Sequence, residues 1–284
     1  MSDTDLREAW AELLGRRAAF GDSLGVYGDV VDRWAALVPT VMPLARDALD
    51  ARDLWEHGVP LIADKPPALS VDDVESVLGP TMELIASIRV EEAAALQRFA
   101  DAWDAGAVGP ACLLPTKGLL GSIDPQLGLT PRTLAVLASL ALRPFLEAYF
   151  REVRGDLDDG IWSLGVCPFC GAPPGFGDVI EDGRRRLACH CCGGGWFFSR
   201  RRCAFCGTEA AQDLLRLDPG GRDEGYFISA CTRCRAYLKE LDRRARWNAG
   251  PAIVEDWGSP HLDLVAEGQG YWRAVPTLLL LARP

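Results

Sequence analysis

Eight of the ten cysteines in this 284-residue chain form four CxxC pairs: Cys167/Cys170, Cys189/Cys192, Cys203/Cys206 and Cys231/Cys234. Two thiols separated by two residues reach one ion when the backbone turns tightly between them. Two such knuckles complete a tetrahedral cage of four thiolates, a donor set that suits zinc or a single iron. One CxxC is a weak signal, and four in succession are a strong one. Met1-Ser2-Asp3-Thr4-Asp5 shows no secretory leader, so the pairs read as metal ligands in an unexported chain and not as disulfides.

The pairs repeat. Cys167-Pro168-Phe169-Cys170-Gly171 is echoed by Cys203-Ala204-Phe205-Cys206-Gly207, and each is followed by a hairpin pattern and a second CxxC. Four knuckles allow three pairings, a cross-braced one among them, and the repeat favours two tandem units with one ion each. The first unit then uses Cys167, Cys170, Cys189 and Cys192, and the second uses Cys203, Cys206, Cys231 and Cys234. Gly171, Gly193 and Gly207 directly follow their knuckles, where positive φ turns backbone N–H groups towards the sulfurs. Arg235 stands in the fourth such place, so a different geometry is expected there. His190 and Cys191 lie inside the second knuckle and are surplus to a four-ligand cage. They read as bystanders, with a substitute ligand or an exchangeable thiol as the alternative. Cys112, far away in sequence, reads as a small buried apolar residue.

The elements that carry these residues change character along the chain. Leu6, Trp10, Leu13 and Leu14, then Val30, Trp34, Leu37 and Val41, recur at helical spacing. Pro39 and Pro43 should divide the second pattern. Ser70 and Thr130 have the form of helix N-caps. Gly79-Pro80 is expected to end its helix early, and Pro144 to kink another. Residues 1–155 thus read as an all-helical domain. After the 155–165 loop the period shortens, with strands expected at 176–180 and 184–188 around Asp182-Gly183, and at 213–217 and 226–230. The expectation is an α+β protein: a helical domain, then two rubredoxin- or zinc-ribbon-like β modules at 165–201 and 202–248. A partly helical segment follows at 249–284. The ribbons look too small and Gly-rich for much apolar core. Metal binding, which contributes about 10–16 kcal/mol in small modules, should decide their folding.

Composition narrows the function. The formal charge is −10, yet residues 161–250 carry 14 Lys/Arg against 10 Asp/Glu. The acidic remainder argues against nucleic-acid binding, where phosphate neutralisation dominates. The triplets Arg184-Arg185-Arg186 and Arg200-Arg201-Arg202, beside Trp196, Phe197 and Phe198, read as a solvated strand face over packed aromatics. An acidic peptide or protein partner is the main alternative. No apolar run is long enough for a membrane span. Phe20-Gly21-Asp22-Ser23-Leu24-Gly25 imitates a nucleophile elbow, but the flanks are helical and only His57, His190 and His261 exist. It reads as a turn that ends a helix, and no catalytic constellation emerges.

The ordered knuckles with their flanks resemble the formate dehydrogenase accessory protein family, FdhE. Trp162, the run from Cys167 to Gly171, Pro174, Cys189-His190-Cys191-Cys192-Gly193 and Trp196 carry the first half of the likeness. The run from Arg202 to Gly207, Cys231-Thr232-Arg233-Cys234 and Tyr237-Leu238-Lys239 carry the second. Weaker matches are His57-Gly58-Val59-Pro60-Leu61, Glu255-Asp256 and Leu262-Asp263-Leu264. The chain departs from the pattern at Cys191, at Arg235 and in the segment from Trp272 to Pro284. The resemblance implies a cytoplasmic, non-catalytic factor that binds the catalytic subunit of formate dehydrogenase before export through the twin-arginine pathway. It implies a helical domain joined to rubredoxin-like ribbons, the eight paired cysteines as ligands, and iron as the associated ion. Two rival functions stay open: a rubredoxin-type electron carrier and, with less support, a zinc-ribbon nucleic-acid binder.

Overall fold

A computed structural model describes residues 3–47, 50–116, 121–220, 223 and 225–281. Met1 and Ser2, which entered the leader argument, and residues 282–284 of the departing segment lie outside the described residues. The first part is helical: α1 (Asp3–Arg16), α2 (Gly21–Ala36), α3 (Ala51–Glu56), α4 (Leu61–Asp64), α5 (Val71–Ile88), α6 (Ala93–Asp104) and α7 (Pro131–Tyr149). The caps are made as the side chains suggest. Ser70 accepts from Asp73 N at the start of α5, and Thr130 accepts from Thr133 N at the start of α7. Extended chain follows Ala36 and contains Pro39 and Pro43.

One expectation about proline is corrected: helix α5 runs through Gly79-Pro80 and does not end there. Helix α7 carries Pro144 inside its span to Tyr149. An interior proline costs about 3 kcal/mol. Helix α5 buries Val77, Leu78 and Ile85, at about 1.5–3 kcal/mol each, which outweighs the lost bond. A short 3-10 segment at Val90–Glu92 joins α5 to α6.

The second part is a seven-stranded sheet of β1 (Phe176–Val179), β2 (Arg185–Ala188), β3 (Gly195–Phe197), β4 (Leu214–Leu217), β5 (Tyr226–Cys231), β6 (Ala236–Asp242) and β7 (Trp272–Arg273). Helices α8 (Ala252–Trp257) and α9 (Pro260–Gly268) precede β7, and α10 (Leu278–Leu281) follows it. The strand order is β3-β2-β1-β6-β5-β4, with β7 also on β6. Both expected hairpins form, β1 with β2 and β4 with β5. The two cysteine units are fused where β1 pairs in parallel with β6, Gly177 opposite Glu240 and Val179 opposite Asp242.

The expectation of little apolar core in the cysteine region is also corrected. One core runs continuously from Trp34, Leu78 and Leu146 into Phe169, Leu187 and Trp196 of the first unit. A second packs Phe176, Tyr226, Ile228, Tyr237 and Leu241 against Leu262 and Ala266 of α9. The C-terminal segment returns to the helices. The Trp257 ring stacks on Tyr27 at 4.3 Å and meets Trp10 edge-on at 6.1 Å. Near the end of α10, Leu281 O accepts from Arg89 Nη1 at 2.7 Å.

Candidate metal centres

Each knuckle is a tight turn closed by the same backbone bond. Gly171 N donates to Cys167 O at 2.9 Å, Gly193 N to Cys189 O at 3.0 Å, and Gly207 N to Cys203 O at 3.0 Å. In the fourth, Arg235 N donates to Cys231 O at 2.8 Å. The three glycines have φ of 72–75°, and Arg235 has φ 61°. The fourth knuckle therefore shares the left-handed backbone of the others, which corrects the expectation of a different geometry. The cost of a side chain there, about 1–2 kcal/mol, is opposed by what that side chain reaches. Arg235 Nη2 donates to Gln269 O at 2.7 Å, beyond the end of α9, and its guanidinium lies 4.2 Å from the Tyr271 ring centroid. N–H groups point at sulfur from inside the knuckles, Cys192 N to Cys189 Sγ and Phe205 N to Cys203 Sγ, each at 3.4 Å, and from just beyond them, Thr208 towards Cys206 and Ala236 towards Cys234.

These turns bring Cys167, Cys170, Cys189 and Cys192 into one group and Cys203, Cys206, Cys231 and Cys234 into another, the tandem arrangement. Within each group the four sulfurs lie within 4.8 Å of one another. The contacts are 3.5 Å for Cys167–Cys192 and Cys170–Cys189, and 3.8 and 3.7 Å for Cys203–Cys234 and Cys206–Cys231. Disulfide sulfurs would stand at about 2.05 Å. A tetrahedron with metal–sulfur bonds of about 2.3 Å has edges of about 3.8 Å, so both groups fit a four-thiolate ion. Burial raises the Cys167 and Cys170 thiols well above their ordinary pKa. At Cys192, burial is outweighed by hydrogen bonds from the neighbouring thiols and by the charge of Arg154, and its pKa falls.

The groups differ in access. All four cysteines of the first are at most 1% exposed. The helical body clamps its first knuckle: Leu61 N and Trp55 Nε1 each donate to Pro168 O at 3.0 Å, and Ile62 N donates to Phe169 O at 2.9 Å. Arg143 of α7 reaches the second knuckle, donating from Nη1 to His190 O at 3.0 Å. In the second group Cys206 is exposed and Cys234 half-buried. Asp213 ties its knuckles together, accepting from Thr232 Oγ1 at 3.1 Å and from Thr208 Oγ1 at 3.4 Å. Trp272 Nε1 donates to Cys234 O at 2.8 Å, which places part of the departing segment against this site.

Comparison with known proteins gives one consistent answer. No family model matches the chain. The Protein FdhE homolog of Stutzerimonas stutzeri is 34% identical over 119 residues, 40% of this chain and 38% of that protein. Those of Aquifex aeolicus and Pseudomonas aeruginosa are 30% and 32% identical, over 46% and 51% of this chain and 49% and 51% of theirs. The chain thus spans about half the length, or less, of the curated relatives it matches. The crystal structure of the FdhE protein from Pseudomonas aeruginosa superposes with a TM-score of 0.64 at 23% identity, covering 99% of this chain and 97% of that one. The chain is a relative of the FdhE proteins, in sequence and in fold.

The residues outside the knuckles that carry the FdhE likeness have physical roles here. The segment from His57 to Leu61 leads into the clamp on the first knuckle. Tyr237, Lys239, Asp256 and Asp263 belong to a buried polar network joining the sheet to α8, α9 and β7. Lys239 Nζ lies 3.0 Å from Asp256 Oδ1 and 2.8 Å from Asp263 Oδ2. Arg273 bridges the same carboxylates at 2.6 and 2.8 Å, and Tyr237 OH donates to Asp263 Oδ1 at 2.7 Å. His190 joins through Nε2, 2.9 Å from Asp256 Oδ2. Two cations thus balance two carboxylates, and burial lowers the pKa of His190, keeping it neutral. His190 is neither a ligand nor a bystander. It pins the second knuckle to a partner 66 residues away, and no local pattern signals that pairing.

The remaining sequence signals find other places. Cys191 is buried beside the first group and outside its four ligands. Cys112 is half-buried against the helical core, with burial raising its thiol pKa. The segment from Gly21 to Gly25 opens α2 instead of ending a helix, a further correction, and Ser23 is exposed on it. Trp196 is 2% exposed, so it is not available to stack on bases. Arg184 sits 4.0 Å over the Phe197 ring, and Arg185 sits 5.3 Å over Phe198. No helix among the described residues is long and apolar enough to cross a membrane.

Proposed function

We propose that the protein is a non-catalytic, metal-binding accessory factor for formate dehydrogenase, which meets the enzyme's catalytic subunit in the cytoplasm before export. The observation that carries the reading is the FdhE fold together with two four-thiolate groups, the first clamped by the helical body and the second set at the sheet. Each group would hold one zinc or iron ion through its four cysteines. The ion's chemistry is to draw four negative sulfurs together, and in iron form to accept or release one electron. Everything else falls to the chain: tight turns aim the sulfurs, α3 and α4 fix the first knuckle, and Asp213 fixes the second site.

Elemental analysis and an absorption spectrum of protein purified without oxygen test the metal claim. The expected result is two equivalents of metal per chain, with ferric–thiolate bands if the ion is iron. Co-purification with the formate dehydrogenase catalytic subunit tests the accessory role. A deletion strain that oxidises formate normally, combined with no subunit captured, would count against it. The exposure of Cys206 supports one rival, a rubredoxin-type electron carrier, because a sulfur at the surface shortens the path to a partner. Reversible bleaching at only one of two iron sites would favour that rival.

A further inference from the structure

We infer that the cleft between α7 and the first cysteine unit is a docking groove for an acidic segment of a partner polypeptide that also bears apolar side chains. The inference rests on the accessory-factor reading for the existence of such a partner. The cleft has a volume of about 1090 Å³. It lies where the helical body meets the sheet, and ligand sites favour such junctions. Its apolar wall is offered by the half-buried Leu37 and Pro144, with the buried Trp34 and Ile253 behind them. Five arginines and only two carboxylates line it, Glu147 and Asp178 being the acids. The chain as a whole carries a formal charge of −10, so this concentration of positive charge runs against the composition.

Three of the arginines have structural duties. Arg143 and Arg154 share Glu147 and reach the carbonyls of the second knuckle. Arg243 is held by Asp178 at 2.7 Å. The other two, Arg151 and Arg186, line the same cleft with exposed side chains. Neither side chain has a hydrogen-bond or ion-pair partner among the described residues. Arg151 extends from the end of α7 and Arg186 from β2, so one cation comes from each body. A segment carrying carboxylates between apolar residues would meet both cations and fill the apolar wall. A segment bearing paired arginines, such as an export leader, would be repelled. The groove therefore selects an acidic stretch of the client and not its leader.

The test uses two labelled synthetic peptides, one alternating Glu and Leu and the other alternating Lys and Leu, with binding to the metal-loaded full chain read by fluorescence anisotropy. The acidic peptide is expected to bind, more weakly as salt rises, and the basic one not to bind. The double variant Arg151→Glu/Arg186→Glu should weaken acidic-peptide binding by about tenfold or more. Its metal content should not change, because neither side chain bonds to a knuckle; a modest fall in thermal midpoint is expected from the loss of the Arg186 charge beside Asp178. Equal binding of both peptides, or no effect of the double charge reversal, overturns the inference. In co-purification, a variant that keeps the catalytic subunit as well as the unaltered chain does overturns the groove and leaves the accessory role standing. An unaltered chain that captures no subunit overturns the accessory role, and the peptide result still decides the groove.

Discussion

A hydrophilic chelator added to the metal-loaded chain under native conditions should remove one ion quickly and leave the other. The second site can be attacked directly, because Cys206 is exposed and Cys234 half-buried. Ligand replacement there needs no opening of the fold. The first site lies beneath Phe169, Leu187 and Trp196, at 1%, 0% and 2% exposure. Exposing these three side chains costs about 4.5–9 kcal/mol, at about 1.5–3 kcal/mol each. At about 1.4 kcal/mol per decade, the open form is populated at about 10⁻³ to 10⁻⁶. If release follows opening, the first ion should leave at least about a thousandfold more slowly. A colorimetric indicator followed over time, with elemental analysis of the retained protein, gives the two rates. Denaturant should make them converge. Loss of both ions at one rate in native buffer, or retention of the second in preference to the first, would refute the reasoning.

Cys170→Ser should abolish the first ion and lower stability severely, because an uncompensated group of thiolates remains within the main core; Cys206→Ser should lose only the second ion and keep the sheet, as metal analysis with circular dichroism would show. At the fourth knuckle, Arg235→Ala should destabilise by about 1–2 kcal/mol in chemical denaturation, keeping the left-handed strain while losing the Arg235 contacts. Arg235→Gly should cost less than Arg235→Ala, and the reverse order would contradict the strain argument. Lys239→Met should cost about 3–5 kcal/mol by leaving Asp256 and Asp263 short of a buried cation, seen as a lower unfolding midpoint. For Asp256 itself, burial works against the charged form, but Arg273 and Lys239 outweigh it and depress the pKa. Its contribution is therefore complete above the unfolded value of about 3.9 and is lost as pH falls towards the depressed folded value. A plot of midpoint against pH should lose that acid-side slope in Asp256→Asn.

The local signals were legible. Asp182-Gly183 announced the β1–β2 hairpin, and the repeated knuckle motif announced which cysteines meet. Ser70 and Thr130 marked helix starts because a cap is written within four residues. What escaped the sequence was decided at long range. The parallel pairing of β1 with β6 has no turn to announce it, since their partners lie more than 60 residues apart. His190, in a knuckle turn, looked surplus because its partner, Asp256, belongs to a helix 66 residues further along the chain. Pro80 misled because the burial that overrides a proline is a property of the assembled core.

The final helical segments also set an order of events. Trp257 lies against Tyr27 and Trp10, and Leu281 holds Arg89, so the N-terminal helices are completed by residues from the far end of the chain. A polypeptide emerging from the ribosome cannot close that core until Trp257 and Leu281 have emerged. Both cysteine units will by then have been exposed to solvent. An ion held at the first site before that closing step would be sealed in with the core. The more exposed second site remains open to exchange after the chain has folded.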